Sequence, residues 1–414
     1  VRSPTKSPLS LTGLDRRALQ AELEAHASGE LTTYAPALRS CVDVLVVGGG
    51  SAALCAAIAA RQCGASVHVI EAAPSILRGE NARHARNFRI AHQQPTTFVP
   101  GKYGEEAFIG DILHVTRGTA DRELTEILVR ESAETTDWLV ENGIHLERRD
   151  HRCQNVSNRT AFLLGGGKAM MNALYAAAIR LGATVWHGSP VIELDLSQTE
   201  YCVSFVSRGG VVRHVASKTI AICAGGNPAN IEWLREELGD AANGLVIRGT
   251  PYALGDLLVR LLACGMRSIG EPSHCHMVPF DARGPKFDGG VVTRVTAIPH
   301  GIVVDRNGLR IADEGEDIGK MHFSKWGVRI SRCPDQIAYL ILDLDGYMKT
   351  APSVFRPIQA DDVGDLPTSC NSILQFSTVP SIASTQPSSH RPTRSQWSEP
   401  PSDCCHRSRV ARTH

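Results

Sequence analysis

No apolar run in this chain reaches the roughly 20 residues that a membrane-crossing helix needs, so a spanning helix is not expected. Net charge is missing too. The 43 Lys and Arg balance 43 Asp and Glu, for a formal charge of +0. Without a basic excess, nucleic acid is not expected as a partner, and no acidic excess marks a solvating tail. A cysteine framework is also absent. The 12 cysteines are scattered, and Cys55, Cys63 and Cys223 lie inside apolar segments, where a thiol acts as a small hydrophobe. That favours reduced thiols in a reducing compartment over disulfides. His274-Cys275-His276 and Cys404-Cys405-His406 have no spaced second pair of ligands, so no metal site is expected. No internal repeat, initiator methionine or secretory apolar core is found. Residues 1–10 read as disordered, and Thr12 to Asp15 can cap a short helix through His26. A cytoplasmic location is the expectation, with membrane contact only through a partner.

What the chain does contain is concentrated in residues 42–71, VDVLVVGGGSAALCAAIAARQCGASVHVIE. A β-branched apolar run meets Gly48, Gly49 and Gly50, an alanine-rich helical segment follows, and a second apolar run ends in Glu71. Strand, tight turn, helix, strand and an acid about 20 residues past the glycines form the dinucleotide-binding layout. Gly48 supplies the dihedrals for a sharp exit from the strand. Gly50 lets the backbone approach a pyrophosphate, and the helix beyond it aims unpaired N–H groups and its positive dipole end at the phosphates. Glu71 can accept hydrogen bonds from both ribose hydroxyls. Ala53 replaces the third glycine and still permits close packing of helix on strand. An ordinary tight turn would not explain Glu71.

A chain of 414 residues, 43% hydrophobic and 21% charged, suits a soluble protein of two or three domains. After Glu71 comes an arginine-rich loop, Arg78 to Arg89. Residues 121–142 read as one amphipathic helix with Leu124, Ile127, Leu128, Trp138 and Leu139 near one face. Helices are also expected over 168–181, 228–238 and 254–264. Strands are expected over 184–187, 190–196, 201–207, 211–216 and 219–223, with Arg208-Gly209-Gly210 as a hairpin turn. Residues 272–312 mix Pro, Gly, Arg and His with short β runs, including 290–296 and 301–304, and 336–343 reads as a further strand. Residues 366–414, rich in Ser, Pro, Thr and Arg, read as disordered.

Several stretches resemble the flavoprotein subunits of the fumarate reductase and succinate dehydrogenase group. They are VVGGGSAALCAAIAA (46–60), RGENARHARNFR (78–89), LLGGGKAMMNALY (163–175), AICAGGNPANIEWLRE (221–236), CHMVPFDARGPKFDGGVVTR (275–294) and GIVVDRNGLRIADEGED (301–317). Within that group the likeness is greatest to FAD-dependent tricarballylate dehydrogenases, carried mostly by 275–317. It implies an α/β fold, with a Rossmann-like FAD-binding domain and an inserted α+β cap. The expected division is an N-terminal extension over 1–40, the FAD-binding domain over 41–271, a substrate-binding cap over 272–362 and a tail over 363–414. The resemblance also implies that Gly48, Gly50, Ser51 and Ala52 touch the pyrophosphate and Glu71 the ribose. Asn81, Arg83 and His84 then approach the flavin, Gly165, Gly166, Gly167 and Lys168 close over the cofactor, and Ala224, Gly225 and Gly226 pack near the adenine half. The 78–89 loop does not fit the pattern of covalently flavinylated relatives, so non-covalent FAD is expected.

Oxidising a CH–CH bond beside carboxylates needs a hydride acceptor, a base and cations that hold the anionic substrate. The run 275–294 offers His276, Arg283, Lys286, Thr293 and Arg294. By resemblance His276 binds a substrate carboxylate and Thr293 belongs to a Thr-Glu pair whose glutamate is Arg294 here, a swap that suits a third carboxylate. Cap-surface charges and a core histidine are the plainer reading of each residue singly. Glu314 matches the acid of an Asn-Glu pair, while Glu316 and Asp317 read as a solvated loop. The expected proton-shuttle arginine is replaced nearby by Lys320, His322 and Lys325, with Arg329 the next arginine. Nothing in 364–414 matches the family's return to the FAD domain, as a frame shift or a wrong gene-model junction would leave it. The expected activity is therefore desaturation of a small polycarboxylate, tricarballylate by resemblance, with electrons passing to an iron–sulfur or membrane acceptor protein. The alternatives are a fumarate- or succinate-type enzyme, a 3-ketosteroid dehydrogenase, or an inactive truncated remnant.

Overall fold

The computed structural model describes residues 40–148, 158–196, 200–271, 275–287, 293–316, 322–350 and 354–360. The expectations for the N-terminal extension, His274, Lys320, residues 363–414 and the Cys404-Cys405-His406 cluster lie outside these residues.

β1 (Ser40–Val47) is the apolar run before the glycines, with Leu45 and Val46 fully buried on its two faces. It is an inner strand of a six-stranded sheet. The others are β2 (Val67–Glu71), β5 (Thr184–His187), β6 (Val191–Asp195), β7 (Tyr201–Val206) and β8 (Val212–Ile222), in the order β5-β2-β1-β8-β7-β6. A small separate pair joins β3 (Asn87–Arg89) to β4 (Thr160–Phe162). β5, β2, β1 and β8 run parallel, whereas β7 pairs antiparallel with both β8 and β6. Burial on both faces is what a parallel sheet under helices requires, and it explains the unbroken apolar runs.

The strands expected at 211–216 and 219–223 are one strand. Ser217 and Lys218 interrupt the apolar pattern without interrupting the backbone. Ser217 is fully buried and in register with both Val42 and Tyr201. Lys218 reaches out to Asp43, Nζ to Oδ1 2.7 Å. This length lets β8 pair with β7 through its first half and with β1 through its second.

α1 (Ser51–Gln62) buries Ala53, Leu54, Ala57 and Ile58, and α5 (Gly166–Arg180) buries Met170, Met171, Leu174, Ala177 and Ala178 against the same core. Small residues on α1 allow the two helices to approach one another over the sheet. Between them in sequence lie α2 (Glu105–Val115), α3 (Arg122–Ser132) and α4 (Thr135–Glu141). The single helix expected over 121–142 is thus two. Asp121 caps the first by accepting the N–H of Leu124 at 2.9 Å. The expected apolar face is also turned. Leu124 is 66% exposed, while Thr125, Val129 and Ser132 face inward. Ser132 explains this orientation, because its hydroxyl accepts the N–H of Ala91 and donates to the carbonyl of Val129.

The remaining α-helices are α6 (Ile231–Leu238), α7 (Asp256–Ala263), α8 (His322–Ser331) and α9 (Leu344–Met348). α6 starts later than expected, since Asn230 accepts the N–H of Trp233 and caps it there. In the region expected as a cap, β9 (Ile302–Asp305) and β10 (Ala338–Ile341) form an antiparallel pair. Trp326 of α8 is buried with Ile298 and Val303 beneath it. The strand expected over 290–296 shows only a single bridge, Phe280 to Arg294, among its described residues. Cys63, which lies inside an apolar segment of the sequence, is exposed because it caps the end of α1.

Gly48 has φ of +113°, and a Cβ there would lie 2.3 Å from the carbonyl oxygen of Cys223. Neither backbone can yield without breaking the β1–β8 pairing. Gly48→Ala is expected to lower unfolding free energy by more than about 2 kcal/mol in urea denaturation.

Candidate functional site

Beyond Gly48 the turn changes character. A Cβ on Gly49 would meet the Glu71 carboxylate at 2.1 Å and the Tyr175 hydroxyl at 2.2 Å, so this residue is pressed onto the protein. A Cβ on Gly50 would meet nothing within 4 Å. That open side faces a cleft of about 310 Å³. Gly50 precedes α1 without a side-chain cap, so the first-turn N–H groups of the helix are left for a ligand.

The cleft gathers residues from distant parts of the chain. Gly48, Gly49, Gly50, Ser51 and Ala52 form one wall, and Glu71 stands at the end of β2. Asn81 and Glu80 come from the short 3₁₀ helix Glu80–His84, and Ala224 and Gly225 follow β8. Thr250, Tyr252 and the start of α7, Asp256 to Leu258, complete it. Gly225 also faces open space where a Cβ would be. Gly226, Arg83, His84 and Gly165 to Lys168 are not on this wall. Arg83 and His84 are buried behind it, and Arg83 donates to the carbonyl of Ile76 at 3.0 Å. Gly167 is packed so tightly beneath the 80–85 segment that a Cβ would lie 2.2 Å from the Ala82 carbonyl oxygen. Gly165 and Lys168 are exposed.

Glu71 is the acid of the β2 terminus, only 8% exposed. Its carboxylate accepts the N–H of Ala73 at 2.7 Å and that of Gly49. Burial pushes its pKa up to about 7, and the nearby Glu80 adds to the rise against the two backbone donors. Tyr175 of α5 donates to the Gly49 carbonyl at 2.9 Å, fixing the turn from below. The Arg78 guanidinium lies 4.8 Å from the Tyr175 ring centre. Glu80, which sequence reasoning missed, accepts the N–H of Thr250 at 3.2 Å and its hydroxyl as well. Burial raises the Glu80 pKa against these hydrogen bonds.

An extended dinucleotide fits these residues: open backbone at Gly50 and Gly225, a helix start without a side-chain cap, and a buried acid lining the same cleft.

A second group of side chains adjoins the 3₁₀ helix. Arg248 donates to the His84 carbonyl at 2.5 Å. Desolvation and then the charge of Arg86 lower the Arg248 pKa from its ordinary value. Desolvation, Arg86 and Arg248 lower that of Arg294. Desolvation, Arg248 and Arg294 lower that of His276. His276 and Arg294 thus feel one another's charge, and Arg248 and Arg86 belong to the same electrostatic group. No motif pointed to Arg248, which lies 164 positions from His84 along the chain. Thr293 is buried next to Arg294, its carbonyl accepting the N–H of Asp281 at 2.8 Å.

Glu314 has other partners. It accepts the N–H of Val303 at 2.7 Å and pairs with Arg310 through Nε and Nη2. Burial acts to raise its pKa, but these hydrogen bonds bring it below the ordinary value. Arg283 is paired with Asp281 at 2.7 Å, and Arg329 with Glu316 at 2.6 Å. Glu316, read from sequence as solvated, is therefore in an ion pair.

The parallel sheet, its glycine turn and the cleft above define an α/β protein of the dinucleotide-binding class. Residues 43–349 match the FAD binding domain family, and the chain belongs to it, with FAD as its cofactor. A probable fumarate reductase of Shewanella frigidimarina is 26% identical over 318 residues, 74% of this chain and 51% of that protein. An NADH:fumarate oxidoreductase of Klebsiella pneumoniae is 25% identical over 329 residues, 73% of this chain and 32% of that protein. The chain thus spans about half or less of the length of these relatives. Among solved structures, the open conformation of a flavocytochrome c3 fumarate reductase superposes with a TM-score of 0.62 at 22% identity, covering 83% of this chain and 58% of that one. A 3-ketosteroid-Δ4-(5α)-dehydrogenase from Rhodococcus jostii RHA1 gives 0.59 at 18% identity, covering 78% and 71%. At these identities both likenesses concern the fold. Among the described residues no helix is long and apolar enough to cross a membrane.

Two outcomes are expected from FAD titration followed by flavin fluorescence. Gly50→Ala should retain the wild-type unfolding midpoint and bind FAD at least about tenfold more weakly, because its methyl group enters the cleft without touching protein. Ribose hydroxyls favour the ionised form of Glu71, so FAD binding expels a proton below about pH 7. Affinity should therefore tighten as pH rises towards about 7, by at most about tenfold per pH unit, and then level off. Glu71→Gln should abolish this slope.

Proposed function

We propose that the protein is an FAD-dependent oxidoreductase that desaturates a small polycarboxylate, of the tricarballylate to cis-aconitate type. The observation that carries this reading is the gathering of Arg86, Arg248, His276 and Arg294 beside the 3₁₀ helix that lines the cofactor cleft. Positive charge gathered in one place draws an anion, and guanidinium groups keep their charge at neutral pH. A carboxylate is the anion whose two oxygens match the guanidinium fork.

In this reading Gly48, Gly50, Ser51 and Ala52 hold the pyrophosphate and Glu71 the ribose, with Ala224, Gly225 and Gly226 at the adenine half. Asn81, Arg83 and His84 shape the edge nearest the flavin, supported from behind by Gly165 to Lys168. FAD is held without a covalent bond and supplies a hydride acceptor. Arg294 and His276 hold substrate carboxylates beside it. His276 stays neutral at pH 7, since its surroundings lower its pKa, and so keeps a hydrogen to donate and a lone pair to accept. Thr293 orients Arg294 through the shared backbone. Glu314 acts at one remove, holding Arg310 and the start of β9. Electrons leave to a separate redox protein, iron–sulfur or membrane-held. The abundance of cations does not favour a steroid, whose surface is mostly neutral and apolar.

Anaerobic mixing with tricarballylate should bleach the oxidised flavin absorbance, and a 3-ketosteroid should not. Arg294→Ala should reduce the preference for tricarballylate over succinate, measured as kcat/KM with a dye acceptor, by about tenfold. Bleaching by the steroid alone would refute the assignment.

A further inference from the structure

We propose that Glu80 is a second cofactor-binding acid, which accepts hydrogen bonds from the ribityl hydroxyls of FAD as Glu71 accepts them from the ribose. The inference rests on the reading of the cleft above, in which the next residue, Asn81, stands near the flavin. It adds a residue that no motif indicated.

The backbone at Glu80 is unusual for a residue that carries a side chain. Its φ is +41°, in the left-handed region, directly after Gly79 at +92°. A glycine adopts such a φ freely, whereas a Cβ there is strained. Strain of this kind persists where the surroundings hold the residue, and it concentrates at ligand sites. The hold is provided by Thr250, which is 1% exposed. Its hydroxyl donates to Oε2 of Glu80, and its N–H donates to the same oxygen at 3.2 Å. Oε1 lies along Gly249, where a Cβ would come within 2.3 Å of it. The segment after Thr250 is anchored in turn. The Ala253 carbonyl accepts the N–H of Ala229 at 3.0 Å, and the Leu254 carbonyl accepts Asn230 Nδ2 at 3.1 Å. The carboxylate is thus held on the wall of the cleft that it lines.

This hold uses only part of what the group can accept. An ionised carboxylate has about four lone-pair positions and no donor. Thr250 fills two on Oε2, and its N–H reaches Oε1 only at 3.4 Å. Capacity therefore remains, chiefly on Oε1, in a cleft of about 310 Å³. The diphosphate of FAD carries no hydrogen at neutral pH and would repel an acid. Hydroxyls are the most numerous donors of FAD, and they fall in two sets, the ribose and the ribityl chain, with the diphosphate between. Glu71 reaches the cleft from the end of β2, and Glu80 from the 3₁₀ helix Glu80–His84. One acid for each set gives both carboxylates donors without crowding two like charges onto one sugar.

The test is a cycle of titrations of the cofactor-free full chain, followed by flavin fluorescence. The ligands are FAD and an FAD analogue in which a plain alkyl chain replaces the ribityl chain. In the wild type, removing the hydroxyls should weaken binding by at least about tenfold. In Glu80→Gly, whose backbone suits the turn, the same change should weaken it by less than about threefold. ADP, read by competition, should bind the wild type and Glu80→Gly within about threefold of one another. Glu80→Gln keeps one carbonyl acceptor, so its loss on removing the hydroxyls should fall between the two. That variant decides the matter if Glu80→Gly does not fold. Equal loss in the wild type and the variants, no loss in the wild type, or equal weakening of ADP and FAD by Glu80→Gly would overturn the contact and leave FAD in the cleft. A wild type that binds no FAD would overturn both readings.

Discussion

At Gly48 two backbones approach so closely that no side chain fits between them, and the cofactor cleft is built around that contact. The end of β8 and the turn after β1 are pressed together there, in register through seven residue pairs of parallel sheet. Because the first glycine is pinned to Cys223 and the second to Glu71 and Tyr175, only the third is left facing outward. The open groove is thus a product of close packing on its other side. Tyr175 completes the arrangement from α5, with its hydroxyl on the Gly49 carbonyl, so the helix layer fixes the turn as firmly as the sheet does.

The 3₁₀ helix Glu80–His84 separates two regions of opposite charge. On one side Glu71 and Glu80 place buried acids at the cleft, suited to hydroxyl and amide donors. On the other, Arg86, Arg248, Arg294 and His276 collect positive charge. Five residues of chain therefore serve both regions, with Glu80 bound to Thr250 and the His84 carbonyl bound to Arg248 two residues earlier. Both ties lead to the same segment, 248–250, which links the cofactor cleft to the cationic cluster.

The dinucleotide turn was legible in the sequence because every part of it is local: an apolar run, glycines, a helix and an acid within 30 residues of chain (42–71). The pairing of His276 with Arg294 was suggested only by resemblance. Arg248 was not legible, since it stands in no recognisable pattern and lies more than 160 positions from Arg86, while Arg86 sits in the quoted 78–89 stretch with nothing to mark it out from the other arginines there. The break between α3 and α4 at Ala133 and Glu134 carries no glycine or proline to announce it. Ser217 and Lys218 misled in the opposite direction, since two polar residues inside an apolar run look like a strand end while the backbone continues. Glu314 was singled out only by resemblance to the acid of an Asn-Glu pair, and its ion pair with Arg310 is disclosed only by the fold.

The central claim is that the outward face of Gly50 and the start of α1 receive the pyrophosphate of FAD. Titration of the cofactor-free chain with FAD, followed by competition with ADP, tests it most directly. Saturable binding of one FAD per chain, displaced competitively by ADP because both carry the same diphosphate and ribose, is the result expected. Absence of saturable binding, or FAD binding that ADP leaves unchanged at any concentration, would contradict it.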